Sequence, residues 1–269
     1  MRKSRLSALV AVASAIPLVV AACSGDSTAT DTPTAPTIAP TVTATAPPSP
    51  GTGFATLTPQ GGGKTKQYAS APPLAINPSK QYFATLATSK GNVRIQLLPK
   101  SAPQTVNSFV FLARDGYFNG ILFHRVVNGF MVQSGDPLTT DSSRVASWGT
   151  GTPGYTLPDE FLCTDGKATN TLHPTCPLAN TFDKAGVMAM ANTGQPHTSG
   201  SQFFITLGAQ TFLNGGYTLF GQVVSGQDVV QAIGAVSTAC SRTGQSEGQG
   251  CSSRPDQPVV INSVSIEEQ

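Results

Sequence analysis

The chain is predicted to be mainly β: a small closed β-barrel with helical lids, or a β-sandwich of similar strand content. Three observations carry this. About eight short apolar runs of strand length lie between residue 81 and the C-terminus. Gly, Pro, Asn and Asp separate them at turn spacing. Only two segments show a helical period. The pattern alone does not choose between barrel and sandwich.

In order along the chain, "QYFATLATSKGNVRIQLLP" (81–99) gives two alternating runs around Lys90-Gly91, a hairpin signal. "APQTVNSFVFLARDG" follows, with apolar Val106, Phe109, Val110 and Ala113 at i, i+3, i+4, i+7, one face of a helix. Pro103 suits its first turn and Gly116 its C-terminal cap. Short strands are expected at 122–126, 129–134, 187–191, 202–206 and 218–224. "GQDVVQAIGAV" reads as the second helix, with Val229, Val230, Ile233 and Val236 on one side, and "PVVINSVSIE" as a closing strand. No internal repeat of 20 to 50 residues is present.

The N-terminal part is of another kind. Arg2, Lys3 and Arg5 precede an apolar stretch from Leu6 to Val20, and Ala21, Ala22 and Cys23 close it. This is a secretory signal over residues 1–22. "VAAC" resembles a bacterial lipobox, which makes Cys23 the expected lipidated residue. Residues 23–75 are rich in Ser, Thr, Ala, Pro and Gly, and too poor in apolar surface to offset ordering entropy. They read as an extended tether, and residues 76–269 as one domain. The folded part is expected outside the cytoplasm, in the cell envelope, held to a membrane through its N-terminal lipid only.

Loss of Arg2, Lys3 and Arg5 takes the basic residues from 16 to 13, against 14 acids, so the mature chain is near −1. No basic run or basic-aromatic stripe remains, and nucleic-acid binding is not expected. "GGGKT" (61–65) has Thr58 where a phosphate loop needs glycine. "GTGTPG" (149–154) fits G-x-G-x-x-G but lacks the strand-turn-helix setting and contains Pro153. "TSGSQ" is not a nucleophile elbow.

"FHRVVNGFMVQSGDP" (123–137) places Arg125 in an apolar run, with Asp115 and Asp136 its nearest acids in sequence. A lone arginine there is by default a solvated edge-strand charge, and Phe130, Met131, Phe204 and Phe212 are by default core. Together with "GTGTPGY", "MAMANTGQPHTSGSQFFI" and "FLNGGYTLFGQV", however, this stretch resembles the cyclophilin family of peptidyl-prolyl isomerases from about Tyr82 to Glu267. The resemblance implies a closed eight-stranded antiparallel β-barrel capped by two α-helices. It implies that Arg125 is catalytic and that Phe130, Met131 and Gln133 line the same groove. Ala191 and Asn192 would hold the substrate backbone, Gln202 and Phe204 would complete the wall, and Gly149 would stand at the rim. Phe212, Leu213 and Tyr217 would form the far side of the proline pocket.

Two positions depart from the familiar eukaryotic pattern: Phe212 replaces tryptophan and Tyr217 replaces histidine. The tryptophan is associated with cyclosporin, so tight cyclosporin binding is placed in doubt. The implied activity is cis-trans isomerisation of X-Pro bonds in unfolded or flexible polypeptides, assisting the folding of secreted proteins. Neither cofactor nor metal is implied, and nothing demands more than a monomer. His124, beside Arg125, reads as a packing residue, because isomerisation needs no proton transfer. The alternative is a non-catalytic module that captures proline-containing segments; turnover of a short peptide separates the two.

Four cysteines flank two insertions, Cys163 with Cys176 and Cys240 with Cys251. Local pairing is the simplest of three possible connectivities in an oxidising compartment. The rival for the first pair is a zinc site with His173, for which only three side chains are evident. "TTDSSRVASW" (139–148), with the single tryptophan Trp148, is extra length expected to rim the groove and tune which peptides enter.

Overall fold

The computed structural model describes Ala55–Thr56 and residues 67–269. The signal stretch, Cys23 and the rest of the tether up to residue 66 lie outside the described residues. A two-residue strand, β1 (Ala55–Thr56), pairs with the C-terminal strand, β11 (Ile261–Glu268).

The expected hairpin forms from β2 (Tyr82–Thr88) and β3 (Gly91–Leu97), paired from Tyr82 opposite Leu97 to Thr88 opposite Gly91. Its alternation decides its faces: Tyr82, Ala84, Leu86, Val93, Ile95 and Leu97 are buried. Helix α1 (Pro103–Arg114) buries Val106, Phe109, Val110 and Ala113, the stripe its period predicts. Its N-cap, Ala102, has no side chain to offer. Glu160 takes that place from afar, accepting from the N–H groups of Gln104 (3.0 Å) and Thr105 (2.8 Å).

The remaining elements are β4 (Arg125–Val127), β5 (Met131–Ser134), the two-residue ribbon β6 (Phe161–Leu162) and β7 (Ala168–Thr169), β8 (Val187–Met190), β9 (Phe203–Thr206), β10 (Leu219–Ser225), α2 (Gln227–Gly234) and α3 (Ala239–Thr243). The main sheet runs β1-β11-β2-β3-β10-β8-β9-β5-β4, antiparallel throughout.

The sheet does not close into the expected eight-stranded barrel. The sheet is an open, curled half-barrel of eight strands with β1 appended. β4 is three residues long and pairs along its whole length with β5. The residues just before it meet the start of β11 through one isolated bridge, Leu122 to Val260, and the Phe123 N–H donates to the Val259 carbonyl at 2.9 Å. The helical content also differs: α2 stops short of Val236, and a third short helix, α3, follows it.

The central strands separate two apolar clusters. Met188 and Met190 of β8, Phe203 and Ile205 of β9 and Val132 of β5 join the main core with α1 and the first hairpin. Their alternate neighbours, Val187, Ala189, Phe204 and Met131, join a second cluster on the other face with Phe182, Leu213 and Leu219. These strands therefore read as continuous apolar runs, because both of their faces are covered.

Residues 67–75, assigned to the tether by composition, make specific contacts with the domain. The Tyr68 hydroxyl donates to Asp115 (2.6 Å), its N–H donates to the Pro153 carbonyl (2.8 Å), and its ring meets Phe111 edge-on at 5.3 Å. The Asn107 side chain accepts from Ala75 and donates to the carbonyls of Pro72 and Pro73. Specific packing thus extends N-terminal of residue 76 to Gln67 and Tyr68; one tyrosine in a polar stretch is a weak signal in composition.

Candidate active site

The register of the sheet assembles the site. Arg125 lies opposite Gln133, Gln133 opposite Phe204, Phe204 opposite Ala189, and Ala189 opposite Leu219. Directly opposed residues share a face, so one row of side chains crosses five strands. It is charged at the β4 end and apolar at the β10 end. Met131 lies two residues from Gln133 and so on the same face.

The charged end is a hydrogen-bonded chain. Arg125 Nη1 donates to Gln133 Oε1 (3.1 Å) and lies 3.9 Å from Met131 Sδ. Gln133 Nε2 donates to Gln202 Oε1 (3.0 Å). Gln202 Nε2 donates in turn to the carbonyls of Gly149 and Gly151, both at 2.9 Å. Those carbonyls are aimed by Asp136, whose buried carboxylate accepts from the N–H groups of Leu138 (2.7 Å) and Gly149. A Cβ at Gly151 would overlap that carboxylate, so glycine is needed for the close approach. Gly149 and Gly151 of "GTGTPG" thus serve a turn around Asp136.

Arg125 does not lack an acid, contrary to what its sequence neighbourhood suggests. Its Nε donates to Glu247 Oε2 at 2.6 Å, from 122 residues away. Both side chains are 37% exposed, so the pair stands at the rim. Among the described residues, Arg125 Nη2 makes no hydrogen bond. Sequence reasoning missed Glu247, which lies in a polar insertion with no periodicity to place it.

His124 is buried beside this chain, and its two ring nitrogens have no hydrogen-bond partner among the described residues. Burial holds its pKa below the ordinary histidine value, against the opposing pull of Asp136, so the ring is neutral near pH 7.

The apolar end is a cluster of rings. Phe204 stacks on Phe182 at 6.0 Å and meets Tyr217 edge-on at 5.3 Å. Phe130 stacks on Phe212 at 5.7 Å, and Phe212 is 72% exposed, a large apolar face presented to solvent. Leu213 is buried in the same cluster, with Ala191 packed against it. The Ala191 N–H donates to the Gln202 carbonyl (2.9 Å), which ties the apolar wall to the polar one. Asn192 Nδ2 donates to the Gly216 carbonyl (2.9 Å) and fixes the segment carrying Tyr217. Every groove residue expected from sequence therefore falls in this one region; Phe182 and Glu247 are additions.

Cys163 is bonded to Cys176 and Cys240 to Cys251. The disulfide removes both thiolates that a zinc site with His173 requires. His173 instead packs on the far wall, its N–H donating to the Gly215 carbonyl at 2.8 Å. Among the described residues no group of three His, Cys, Asp or Glu side chains is placed to hold a metal ion.

Comparison with known proteins bears on this geometry. The family model described as "Cyclophilin type peptidyl-prolyl cis-trans isomerase/CLD" matches residues 83–266. Peptidyl-prolyl cis-trans isomerase B of Streptomyces anulatus is 38% identical over 206 residues, which cover 70% of this chain and 98% of that protein. Peptidyl-prolyl cis-trans isomerase A of Mycobacterium tuberculosis is 38% identical over 200 residues, 68% of this chain and 91% of that protein. Among solved structures, a Cryptosporidium parvum cyclophilin-type isomerase crystallised in the presence of the dipeptide Ala-Pro superposes with a TM-score of 0.53. It covers 68% of this chain and 98% of its own at 23% identity, a likeness of fold. The family match over residues 83–266 and the relatives' shared activity lead to one conclusion: this chain belongs to the cyclophilin-type peptidyl-prolyl cis-trans isomerases and catalyses rotation about X-Pro bonds.

Proposed function

We propose that Arg125 is the catalytic residue of this isomerase and that the ring-lined pocket beside it binds the proline. The barrier to rotation is about 18–20 kcal/mol, set by amide resonance. Uncatalysed exchange takes roughly 10–100 s. Shortening that to milliseconds needs about 10⁴-fold, or ~5–6 kcal/mol. No covalent step is required. As the bond twists, the prolyl nitrogen becomes pyramidal and gains a lone pair, and a donor aimed at it stabilises that state over the planar one.

The carrying observation is the polar chain: Gln133 braces Nη1, and Nη2 is left free to donate to the substrate. One charge-assisted hydrogen bond contributes about 1.5–3 kcal/mol, so the pocket must supply more. Phe130, Met131, Phe204, Phe212, Leu213 and Tyr217 take the proline ring and exclude water, which stabilises the polar planar amide most. Gln133, Ala191, Asn192 and Gln202 fix the peptide backbone, with Gly149 at the rim.

The basic start, the apolar stretch and "VAAC" support an envelope location: a signal over 1–22, lipid on Cys23, and a tether that holds a monomeric domain off the membrane. Its substrates there are secreted chains still folding. The test of the site uses a tetrapeptide with a central Ala-Pro bond. Arg125→Lys keeps the charge but loses the planar fork. Turnover is expected to fall by about 10²-fold with unchanged circular dichroism. Near-normal turnover in the folded variant removes Arg125 from this role.

A further inference from the structure

We propose that Glu247 is a positioning residue for the isomerase reaction, holding the Arg125 guanidinium by Nε so that Nη2 faces the prolyl nitrogen. This rests on Arg125 being the catalytic residue.

The guanidinium has three nitrogens. Gln133 takes one and Glu247 another, at 3.1 and 2.6 Å. Held by Gln133 alone, the plane can pivot about a single hydrogen bond. Held at two nitrogens, its orientation is fixed, and the third makes no hydrogen bond among the described residues. Arginine carries many rotamers on a flexible stem, and a rim position 37% exposed does little to restrict them. Ordering that occurs before substrate arrives does not oppose the twisted state later. Glu247 bonds Nε, not Nη2, so Nη2 keeps a hydrogen to donate to the substrate.

The loop that carries Glu247 is built to deliver it. Residues 240–251 are closed by the Cys240–Cys251 disulfide. The Thr238 capping box fixes the start of α3. The Cys240 N–H donates to the Ser252 carbonyl at 3.2 Å, drawing the loop's base together. The Val126 N–H donates to the Ser253 carbonyl at 2.8 Å, which ties that base to β4 at the residue after Arg125. Glu247, four positions before Cys251, thus returns to the strand on which its partner stands.

The experiment measures kcat and KM for the Ala-Pro tetrapeptide with the full chain. Glu247→Ala is expected to lower kcat by about 3- to 10-fold, the equivalent of one hydrogen bond, with KM changed less than about 2-fold. Glu247→Gln retains an acceptor for Nε and should fall between wild type and alanine. The Arg125 Nε–H resonance, resolved in wild type, should collapse toward the solvent-averaged position in Glu247→Ala. Cys240→Ser/Cys251→Ser should lower kcat to a similar degree, and adding Glu247→Ala should then cost less than about 2-fold more. An alanine variant as fast as wild type, or faster, overturns the proposal and makes Glu247 a bystander or a cap that substrate must displace. Arg125→Lys separates the two readings. If it abolishes turnover while Glu247→Ala does not, only the positioning role fails; if it leaves turnover intact, the catalytic assignment fails first.

Discussion

Two disulfide-closed loops of nearly equal span, with cysteines 13 and 11 positions apart, meet the same groove and do different things there. The loop 163–176 meets the segment behind the groove through His173, by its backbone and its ring. His173 stands at φ 51, donates its N–H to Gly215, and lies against the pair Gly215-Gly216, whose carbonyl at 216 anchors Asn192. It buttresses the apolar wall that carries Tyr217. The loop 240–251 touches the groove through one charged side chain, Glu247, on the residue proposed to act on the bond. One insertion shapes where the proline sits, the other how the guanidinium points. Binding and turnover should therefore respond separately.

The largest expected separation comes from opening the loops in turn. Cys163→Ser/Cys176→Ser should raise KM for the tetrapeptide about 3- to 10-fold and leave kcat close to wild type, because a loosened wall weakens binding of substrate and twisted state alike. Loop closure of this length stabilises by roughly 2–3 kcal/mol, so the melting temperature should drop by several degrees as well. The 240–251 counterpart should show the opposite division, with kcat reduced. If both double variants change kcat and KM in the same proportion, the loops are structural staples and the comparison fails.

A smaller perturbation probes the buttress without touching a disulfide. Gly215 has φ +77, and a Cβ there would sit 3.1 Å from His173 Cα. Gly215→Ala should cost about 1–2 kcal/mol in denaturant unfolding, from the left-handed backbone and the crowding together. KM should rise with it. A variant of wild-type stability and KM would mean that His173 yields freely and that the loop does not set the wall.

How legible was this in the sequence? The hairpin, α1 and the strands β8, β9 and β10 follow from local period and turn residues, which act over few positions. The continuous apolar runs "FFIT" and "VMAM" do not reveal that alternate residues serve two clusters; that follows from what covers each face. The groove residues were visible only through resemblance, since Arg125, Gln133 and Phe204 become neighbours by register. Barrel closure was overstated because β4 is short, and the first packed residues, 67–75, were hidden by a tether-like composition. Glu247 was out of reach, because its partner is fixed by a disulfide and by the Val126–Ser253 bond, neither of which leaves a local pattern.

Acid provides a perturbation next to the charged end only. The neutral state of His124 is enforced by burial, so its folded pKa lies below the unfolded value of about 6.5. Between those two values the unfolded chain binds more protons, and stability falls as pH falls, by up to ~1.4 kcal/mol per pH unit. Melting temperatures taken from pH 7 to pH 5 should decline, and the decline should be shallower in His124→Gln. Parallel curves for the two proteins would assign the acid sensitivity to another group.

The smallest expected effect tests what holds the Glu247 loop in place. Two 3₁₀ turns, Pro137–Thr140 and Ser142–Ser147, lead into and through the insertion 139–148, which ends at Trp148. The Arg254 guanidinium lies 5.7 Å from the Trp148 ring, so this insertion contacts the chain just beyond Cys251. An exposed cation–π contact contributes only about 0.5–1 kcal/mol. The disulfide and the Ser253 bond to β4 already fix the loop, so Trp148→Ala should reduce kcat by less than about 2-fold. Should it reduce kcat as far as Cys240→Ser/Cys251→Ser does, the loop is seated by the tryptophan and not by its disulfide. The two insertions near β4 would then form one device, and the contrast with loop 163–176 would lie in the partner each loop leans on.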